Sequence, residues 1–294
     1  MSENAAIDNE RDGDDVAVWR IQPAPPSVPG QLAAVWRYRH LYWFFTVRAL
    51  FHIYRNAILG VGWMVIHPLV IVVPATFIVG NLFGVSSDPV PLPLFIIVGL
   101  ANWILFRRSL QWMTKSMGMN RPILRQTYVP ALLLLAATIS PGLFEFAVVL
   151  SVAVVLAIYF GPVEGIYYAT LSWQLLAVPL VMVMSLLLAM GLACFTSLLH
   201  AVAKDTWLTL RYVLSGWMLA TPILYPIEVI PPDYRWLAYL NPLTSIVELF
   251  RWAVLQYGTV HWGFLGLAAV EILAILFCGI WFFAKQQNRL FDHM

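Results

Sequence analysis

The stretch LSWQLLAVPLVMVMSLLLAMGLACFTSLL, residues 171–199, contains no aspartate, glutamate, lysine or arginine. A helix of about 20 apolar residues is long enough to cross the roughly 30 Å hydrocarbon core of a bilayer. Over the whole chain of 294 residues, 61% are hydrophobic and only 11% are charged. Soluble domains have roughly 25% charged residues. The sequence therefore predicts an all-α integral membrane protein.

Five further stretches have the same character, so the sequence predicts six transmembrane helices. The predicted helices cover residues 57–83, 89–106, 131–160, 171–199, 206–225 and 264–284. They make up a transmembrane domain over residues 57–284. An acidic, proline-rich segment over residues 1–30 is predicted to be a disordered tail, and residues 285–294 are predicted to be a second, short tail.

Residues 31–56 are predicted to form an amphipathic helix. Its polar side chains recur at helical spacing beside tryptophan, phenylalanine and leucine, and they are Arg37, His40, Arg48, His52 and Arg55. A basic stripe beside large apolar side chains is typical of a helix that lies in the membrane interface. A soluble amphipathic helix is the alternative.

Lysine and arginine are distributed unequally along the chain. All of the 17 except Arg235 and Arg251 fall in the N-terminal segment, in or beside the loops after the second and fourth predicted helices, or in the C-terminal tail. Positively charged loops stay on the cytoplasmic side of a membrane. The sequence therefore predicts that both termini, and thus both tails, are cytoplasmic.

Two short helices are predicted between the fifth and sixth transmembrane helices, dipping into the outer leaflet. Asn241 followed by Pro242 is typical of a helix start, and the helix after it is too short to cross the membrane. Residues 233–240 are the other arm of the pair. Glu248 and Arg251 are three residues apart, so we expect them to pair on one helix face. An ordinary external loop is the alternative.

Several motifs of enzymes and binding proteins are absent from the sequence. No glycine precedes a lysine, which excludes a phosphate-binding P-loop. The six histidines have no metal-ligand spacing, no serine lies in a G-x-S-x-G motif, and no basic block indicates nucleic-acid binding. The chain is therefore predicted to be no enzyme and to hold no cofactor of its own.

Three charged side chains fall inside predicted membrane helices, where their burial is costly. They are Glu145, Arg211 and Glu271. Structural and functional roles are both open for them; the structural roles are pairing of Glu145 with Arg211 or with a hydroxyl group, and an outward reach of Glu271. Three charges are few for a proton-coupled transporter.

Aromatic residues make up 14% of the chain. Many are explained by aromatic belts at the two membrane surfaces, but Trp63, Tyr212 and Trp217 lie at positions that a belt explains less well. Aromatic rings pack on sugar C–H surfaces, while tyrosine and tryptophan also form hydrogen bonds. These residues suit a carbohydrate path without fixed ionic sites.

Five motifs follow one another along the chain. They are I-Y-R-N-A-I-L-G-V-G-W at 53–63 with Pro68, N-R-P-I-L-R-Q-T-Y-V-P at 120–130, T-P-I-L-Y-P at 221–226, N-P-L at 241–243 and E-L-F-R-W at 248–252. In this order and topology, the chain resembles the membrane subunit of the bacterial type-two ABC exporters of O-antigen, capsule or teichoic acid polysaccharides. Ile53, His67 and Ala131 depart from the arginine, glutamine and arginine that are usual there.

The resemblance implies a homodimer of permeases bound to two copies of a separate ATPase subunit, which would hold ATP and Mg²⁺. It also implies that the loop after the second helix docks on this ATPase, with the turn at 200–205 as a second contact. The expected docking residues are Asn120, Arg121, Leu124, Arg125, Gln126, Tyr128, Lys204 and Asp205. For Arg121 and Arg125, the alternative is an ordinary role in setting membrane orientation.

The resemblance further implies export of a lipid-linked glycan across the bacterial inner membrane. We expect Arg48 and Arg55 to receive its pyrophosphate group. The expected path residues are Trp63, His67, Tyr212, Trp217 and Tyr225. One alternative is a drug or lipid exporter of the same superfamily. Another is an integral membrane lipid-linked sugar transferase, although paired carboxylates for a metal–diphosphate site form no evident motif.

Overall fold

The computed structural model describes residues 35–54, 62–124, 129–164 and 172–291, and within these residues the chain is helical without β-strands. The predicted all-α fold is thereby confirmed. The predicted tail at 1–30 lies outside the described residues. The helices are α1 (Arg39–Tyr54), α2 (Gly62–Thr76), α3 (Leu92–Met119), α4 (Arg121–Leu124), α5 (Ala131–Ala137), α6 (Ser140–Glu164), α7 (Val178–Val202), α8 (Thr206–Ala220), α9 (Arg235–Tyr239), α10 (Pro242–Leu255) and α11 (Trp262–Phe291).

Five helical segments of the described chain are long and apolar enough to cross a membrane. They are Gly62–Leu82, Leu92–Met119, Ala131–Gly161, Trp173–Val202 and Trp262–Gln286. These segments correspond to five of the six predicted helices. The second is longer than predicted, since α3 continues past Phe106 to Met119, and α11 continues through most of the predicted C-terminal tail.

The prediction of a continuous fifth transmembrane helix to Tyr225 is wrong. Helix α8 ends at Ala220 after 15 residues, which is about 22 Å. Thr221 already has an extended backbone, with ψ of 135°. Its successor, Pro222, disfavours helical geometry in the residue before it and cannot donate a backbone hydrogen bond.

Helix α3 is the centre of the bundle. Within its most apolar window 78% of the residues are buried, against 22–33% in the other four long segments. It packs mainly against α6 and α7, and it also contacts α2, α5, α8 and α10. It is also the least apolar of the five segments, with a mean hydropathy of 1.3 against 2.0–2.5 in the other four, because its neighbours cover it and the other four form the outer surface.

Helices α7 and α11 approach each other closely at two glycines. A Cβ atom on Gly191 would lie 2.8 Å from the backbone nitrogen of Leu276, and one on Gly279 would overlap the backbone of Gly191. Small residues allow membrane helices to approach in this way. Farther along, the rings of Phe195 and Phe282 contact each other at 5.2 Å, so the two helices run in the same direction.

Helices α3 and α7 also run in the same direction. The Ser185 hydroxyl donates to Asn102 Oδ1 at 2.9 Å, and the Thr114 and Thr196 hydroxyls are 2.6 Å apart. Therefore α3, α7 and α11 all finish at one end of the bundle. We call it the basic end, because Arg121 lies just after α3, Lys204 just after α7 and Lys285 in the last two turns of α11.

Helix α1 packs at the basic end. Its Phe45 lies in a buried cluster with Leu133, Leu134 and Ala137 of α5. On the outer side, Trp43 and Phe51 are exposed. The helix is thus held to the bundle by one face, while large apolar side chains remain uncovered on another.

Candidate functional site

Arg251 is a fully buried arginine at the end of the bundle opposite the basic end. Its Nη1 donates to the Pro222 carbonyl oxygen and its Nη2 to that of Ile223, each at 2.7 Å. Nη1 also lies 3.0 Å from Glu248 Oε1, and the guanidinium carbon is 3.6 Å from the centroid of the Phe95 ring. The predicted pairing of Glu248 with Arg251 is confirmed. We call Arg251 and its partners Phe95, Pro222, Ile223 and Glu248 the Arg251 cluster.

The Arg251 cluster stabilises the irregular segment that follows α8. Because the chain leaves helical geometry at Thr221, the carbonyl groups of Pro222 and Ile223 lack helical partners. A buried carbonyl group without a donor costs free energy, and at membrane depth the protein itself must supply the donor. The guanidinium group meets this need with several N–H donors in one plane.

Gly99 on α3 leaves the space that the guanidinium group occupies. A Cβ atom at this position would lie 2.6 Å from Arg251 Nη2. Sequence reasoning missed both Gly99 and Phe95, because their contacts with Arg251 depend on the packing of distant segments. A signal did exist at Arg251 itself, which is a basic residue in an apolar helix on the side that the sequence predicts to be external, where such residues are rare.

Asn241 joins α8 to α10. Its Oδ1 accepts hydrogen bonds from the Leu243 backbone nitrogen at 3.2 Å and from Trp217 Nε1 at 3.0 Å. Its Nδ2 donates to the Thr221 hydroxyl at 2.8 Å. The predicted cap at Asn241 is confirmed, and the same side chain also holds the end of α8. We call residues 207–223, which are nearly all of α8 and the irregular residues after it, the broken fifth segment. The motifs at 221–226, 241–243 and 248–252 therefore meet at one place.

The broken fifth segment covers the same depth as α3. At the basic end, Lys115 Nζ lies 3.4 Å from the centroid of the Trp207 ring. At the other end, Arg251 contacts both the Ile223 carbonyl oxygen and the Phe95 ring. From Lys115 to Phe95, α3 rises about 30 Å. Residues 207–223 therefore run antiparallel to α3 across the whole thickness of the bundle, as a helix followed by an irregular turn.

Helices α9 and α10 form the predicted pair between the fifth and sixth segments. Helix α10 is buried against α3, α7 and α11, so the alternative of an ordinary external loop is wrong. The Tyr239 hydroxyl and His261 Nδ1 are 3.1 Å apart, which ties α9 to the start of α11. Burial raises the pKa of Tyr239 to about 12, so this hydroxyl keeps its proton at neutral pH.

Glu145 forms an ion pair with Arg108. Its Oε2 lies 2.6 Å from Arg108 Nε, and the carboxylate side chain is nearly buried. The prediction that Glu145 pairs with Arg211 or a hydroxyl group is therefore wrong. Arg108 is on α3 and Glu145 on α6, two helices that pack together, so the spacing along the sequence gave no indication of this pair.

The five expected path residues lie on several surfaces. Trp63 on α2 is 55% exposed and Tyr212 on α8 is 77% exposed. His67 is half-buried on α2. Trp217 is half-buried with its ring 5.4 Å from that of Phe106, and the Tyr225 hydroxyl donates to the Leu219 carbonyl oxygen at 3.1 Å. One copy of the chain leaves Trp63 and Tyr212 uncovered.

The expected docking residues lie at the basic end where they are described. Arg121, Lys204 and Asp205 are exposed. Asn120 is buried and its Nδ2 donates to the Ser116 carbonyl oxygen at 2.8 Å, which closes α3. Leu124 is the last residue of α4. Four expected residues lie outside the described chain, or have side chains that do: Leu124, Arg125, Gln126 and Tyr128.

The structure describes one of the two arginines expected to receive pyrophosphate. Arg48 is exposed on α1, whereas Arg55 lies outside the described residues. Arg48 thus belongs to the uncovered side of the helix that packs at the basic end.

Comparison with known proteins identifies the family. The ABC-2 type transporter family matches residues 40–255, from α1 to the end of α10. The chain belongs to the ABC-2 type transporter family. An O-antigen export system permease protein RfbA of Klebsiella pneumoniae is 25% identical over 239 residues, which are 80% of this chain and 88% of the relative. The protein of the same name from Myxococcus xanthus is 25% identical over 222 residues, which are 74% and 81% of the two chains.

This ABC-2 family chain is a multi-pass membrane protein. All residues of the Arg251 cluster fall within the matched region, as do Asn241, Trp217 and the Arg108–Glu145 pair. Helix α11 lies beyond it.

Proposed function

We propose that the chain is the transmembrane subunit of an ABC transporter that exports a lipid-linked polysaccharide across the bacterial inner membrane. The observation that carries this proposal is the similarity to O-antigen export permeases over 80% of this chain and 88% of the Klebsiella relative. The aromatic side chains Trp63 and Tyr212, exposed on α2 and α8, suit contact with sugar rings.

A separate ATPase subunit drives this transport and binds ATP and Mg²⁺, since the sequence contains no glycine followed by lysine. Two copies of the ATPase dock on a homodimer of this chain at the basic end. Arg121, Lys204 and Asp205 are exposed there. The uncovered apolar faces of α2 and α8 provide surfaces for the second permease copy or for lipid.

Both termini of the chain are cytoplasmic in this proposal. Helices α3, α7 and α11 finish at the same end, where Arg121, Lys204 and Lys285 lie. Positively charged segments remain on the cytoplasmic side. Residues 207–223 supply the additional crossing that an even number of crossings requires.

Disruption of the gene in its source organism tests this function. We expect loss of surface polysaccharide and accumulation of the lipid-linked glycan inside the cell, both restored by the wild-type gene. Unchanged surface polysaccharide with loss of drug resistance would contradict glycan export and support the drug exporter.

Docking is tested separately by purification of the affinity-tagged permease. Arg121→Glu and Lys204→Glu should reduce the amount of ATPase recovered with it. Lys285→Glu at the same end of the bundle is the matched control and should leave recovery unchanged. If Arg121→Glu and Lys204→Glu recover as much ATPase as the wild-type permease does, the ATPase docks elsewhere.

A further inference from the structure

Two cations of α3 lie on one stripe of the helix near the basic end. Arg107 and Lys115 are eight residues apart with Gln111 midway, a spacing that puts all three on one side. Both cationic side chains are half-buried. The Nε of Arg107 is buried and has no hydrogen-bond partner among the described residues.

Arg211 of α8 lies opposite this stripe. Trp207, one turn before Arg211, has its ring 3.4 Å from Lys115 Nζ. Because α8 runs antiparallel to α3, Arg211 lies one turn farther from the basic end than Lys115, level with Gln111. It interacts electrostatically with both Arg107 and Lys115, and its side chain is exposed. We call Arg107, Lys115 and Arg211 the three-cation cluster.

The three-cation cluster has little negative charge to balance it. Among the described residues Glu145 is the one carboxylate that acts on Arg107, and it is already paired with Arg108 at 2.6 Å. The two charges that act on Lys115 are both positive, from Arg211 and Arg108. Like charges held near each other in a medium of low dielectric constant repel strongly. Binding of an anion between α3 and α8 would remove this repulsion.

The cluster extends inward along α3 from the level of lipid phosphate groups. Helix α3 has 28 residues and is about 42 Å long, so it exceeds the roughly 30 Å hydrocarbon core. Lys115 is near its end and Arg107 two turns deeper. Lys115 therefore lies near the level where hydrocarbon gives way to headgroups, Arg107 lies about 12 Å deeper, and the exposed Arg211 makes the cluster accessible from the side of the bundle.

We propose that the three-cation cluster binds the diphosphate group that joins a polyprenyl lipid to its glycan. The proposal rests on the proposed function, and it assigns the recognition of the lipid-linked substrate to α3 and α8 rather than to Arg48 and Arg55, the two residues that the sequence suggested. A diphosphate presents two adjacent anionic groups, and cations about 6 Å apart along the helix axis can contact both. Arginine contributes paired hydrogen bonds to phosphate oxygens, and lysine contributes a compact charge.

Binding of polyprenyl diphosphate to the complete permease–ATPase complex in phosphatidylcholine nanodiscs tests this assignment. We expect Lys115→Gln and Arg211→Gln each to weaken the Kd by about 10-fold or more, as loss of a charged hydrogen-bond donor does. Arg211→Lys should retain most of the affinity. Lys285→Gln, on α11 at the same end, is the matched control and should bind as the wild type does.

Two further probes separate the sources of phosphate. Phosphatidylglycerol and a polyprenyl monophosphate should bind more weakly than the diphosphate and depend less on the cluster. An equal loss of affinity for phosphatidylglycerol would overturn the proposal in favour of ordinary membrane lipid. Unchanged diphosphate affinity in a Lys115→Gln, Arg211→Gln double variant that still recovers the ATPase would overturn it as well.

The assay also separates this inference from the proposed function. If the cluster binds diphosphate but gene disruption leaves the surface polysaccharide unchanged, glycan export fails and the binding site stands. If disruption abolishes surface polysaccharide but the cluster variants bind diphosphate normally, export stands and the assignment of this site fails.

Discussion

Arg251 satisfies several partners that lie far apart in the sequence. It binds two carbonyl oxygens of the segment after α8, the carboxylate of Glu248 and the face of the Phe95 ring. Removing one partner of such a buried group leaves the others without compensation, which is more costly than the interaction itself is stabilising. The side chain therefore needs a space of fixed size, and Gly99 provides it.

Gly99→Ala tests this requirement directly. The added methyl group would lie 2.6 Å from Arg251 Nη2, so the guanidinium group has to leave its carbonyl partners. We expect a loss of about 1–3 kcal/mol in the free energy of unfolding, as for other overpacked sites. Denaturant unfolding of the purified permease in detergent measures it.

Gly118→Ala is the matched control on the same helix. No heavy atom lies within 4 Å of a Cβ atom at this position, and alanine favours a helix over glycine. Its stability should equal or exceed that of the wild type. If Gly99→Ala and Gly118→Ala have the same free energy of unfolding, the space at Gly99 is unimportant.

Single residues were the hardest level to predict from the sequence. The Glu248–Arg251 pair and the cap at Asn241 were predictable because both depend on neighbours along one helix. The partner of Glu145 was not, because Arg108 meets it through the packing of α3 against α6. The same holds for Gly99, since its role exists only once α10 has packed on α3.

Whole helices were predicted more reliably, because a long apolar run can satisfy its backbone in a membrane only as a helix. Five predicted spans correspond to helices of the structure. Helix α8 differs because it ends at Ala220, two residues before Pro222, and the rest of the crossing is stabilised by side chains of α10. An apolar run in the sequence predicts that a segment is buried. Which side chains stabilise a helix that breaks off part-way depends on tertiary packing and cannot be predicted from that run.

Gly279→Ala tests the contact between α7 and α11. The new methyl group would overlap the backbone of Gly191, which cannot move aside as a flexible side chain does. We expect the helices to separate locally, with a loss of about 1–3 kcal/mol in the free energy of unfolding. Gly266→Ala on the same helix meets no atom within 4 Å and should leave stability unchanged; similar losses in both variants would contradict the close contact.

For the whole molecule, the main question is the orientation in the membrane. If residues 207–223 cross it, Lys204 and Asp233 lie on opposite sides, and both side chains are exposed. We predict that Asp233→Cys reacts with a membrane-impermeant maleimide in spheroplasts with an intact inner membrane, whereas Lys204→Cys reacts only after lysis. The background variant is Cys278→Ser, since Cys194 is buried. Equal labelling of both positions before lysis would show that this segment does not cross.

The broken fifth segment has a consequence for biosynthesis. Arg251 is translated 29 residues after Pro222, so the segment reaches the insertion machinery before its donor has left the ribosome. The carbonyl groups of Pro222 and Ile223 must stay hydrated, or be held by the translocon, until α10 emerges. Nascent chains truncated before Arg251 should therefore leave this segment only loosely inserted.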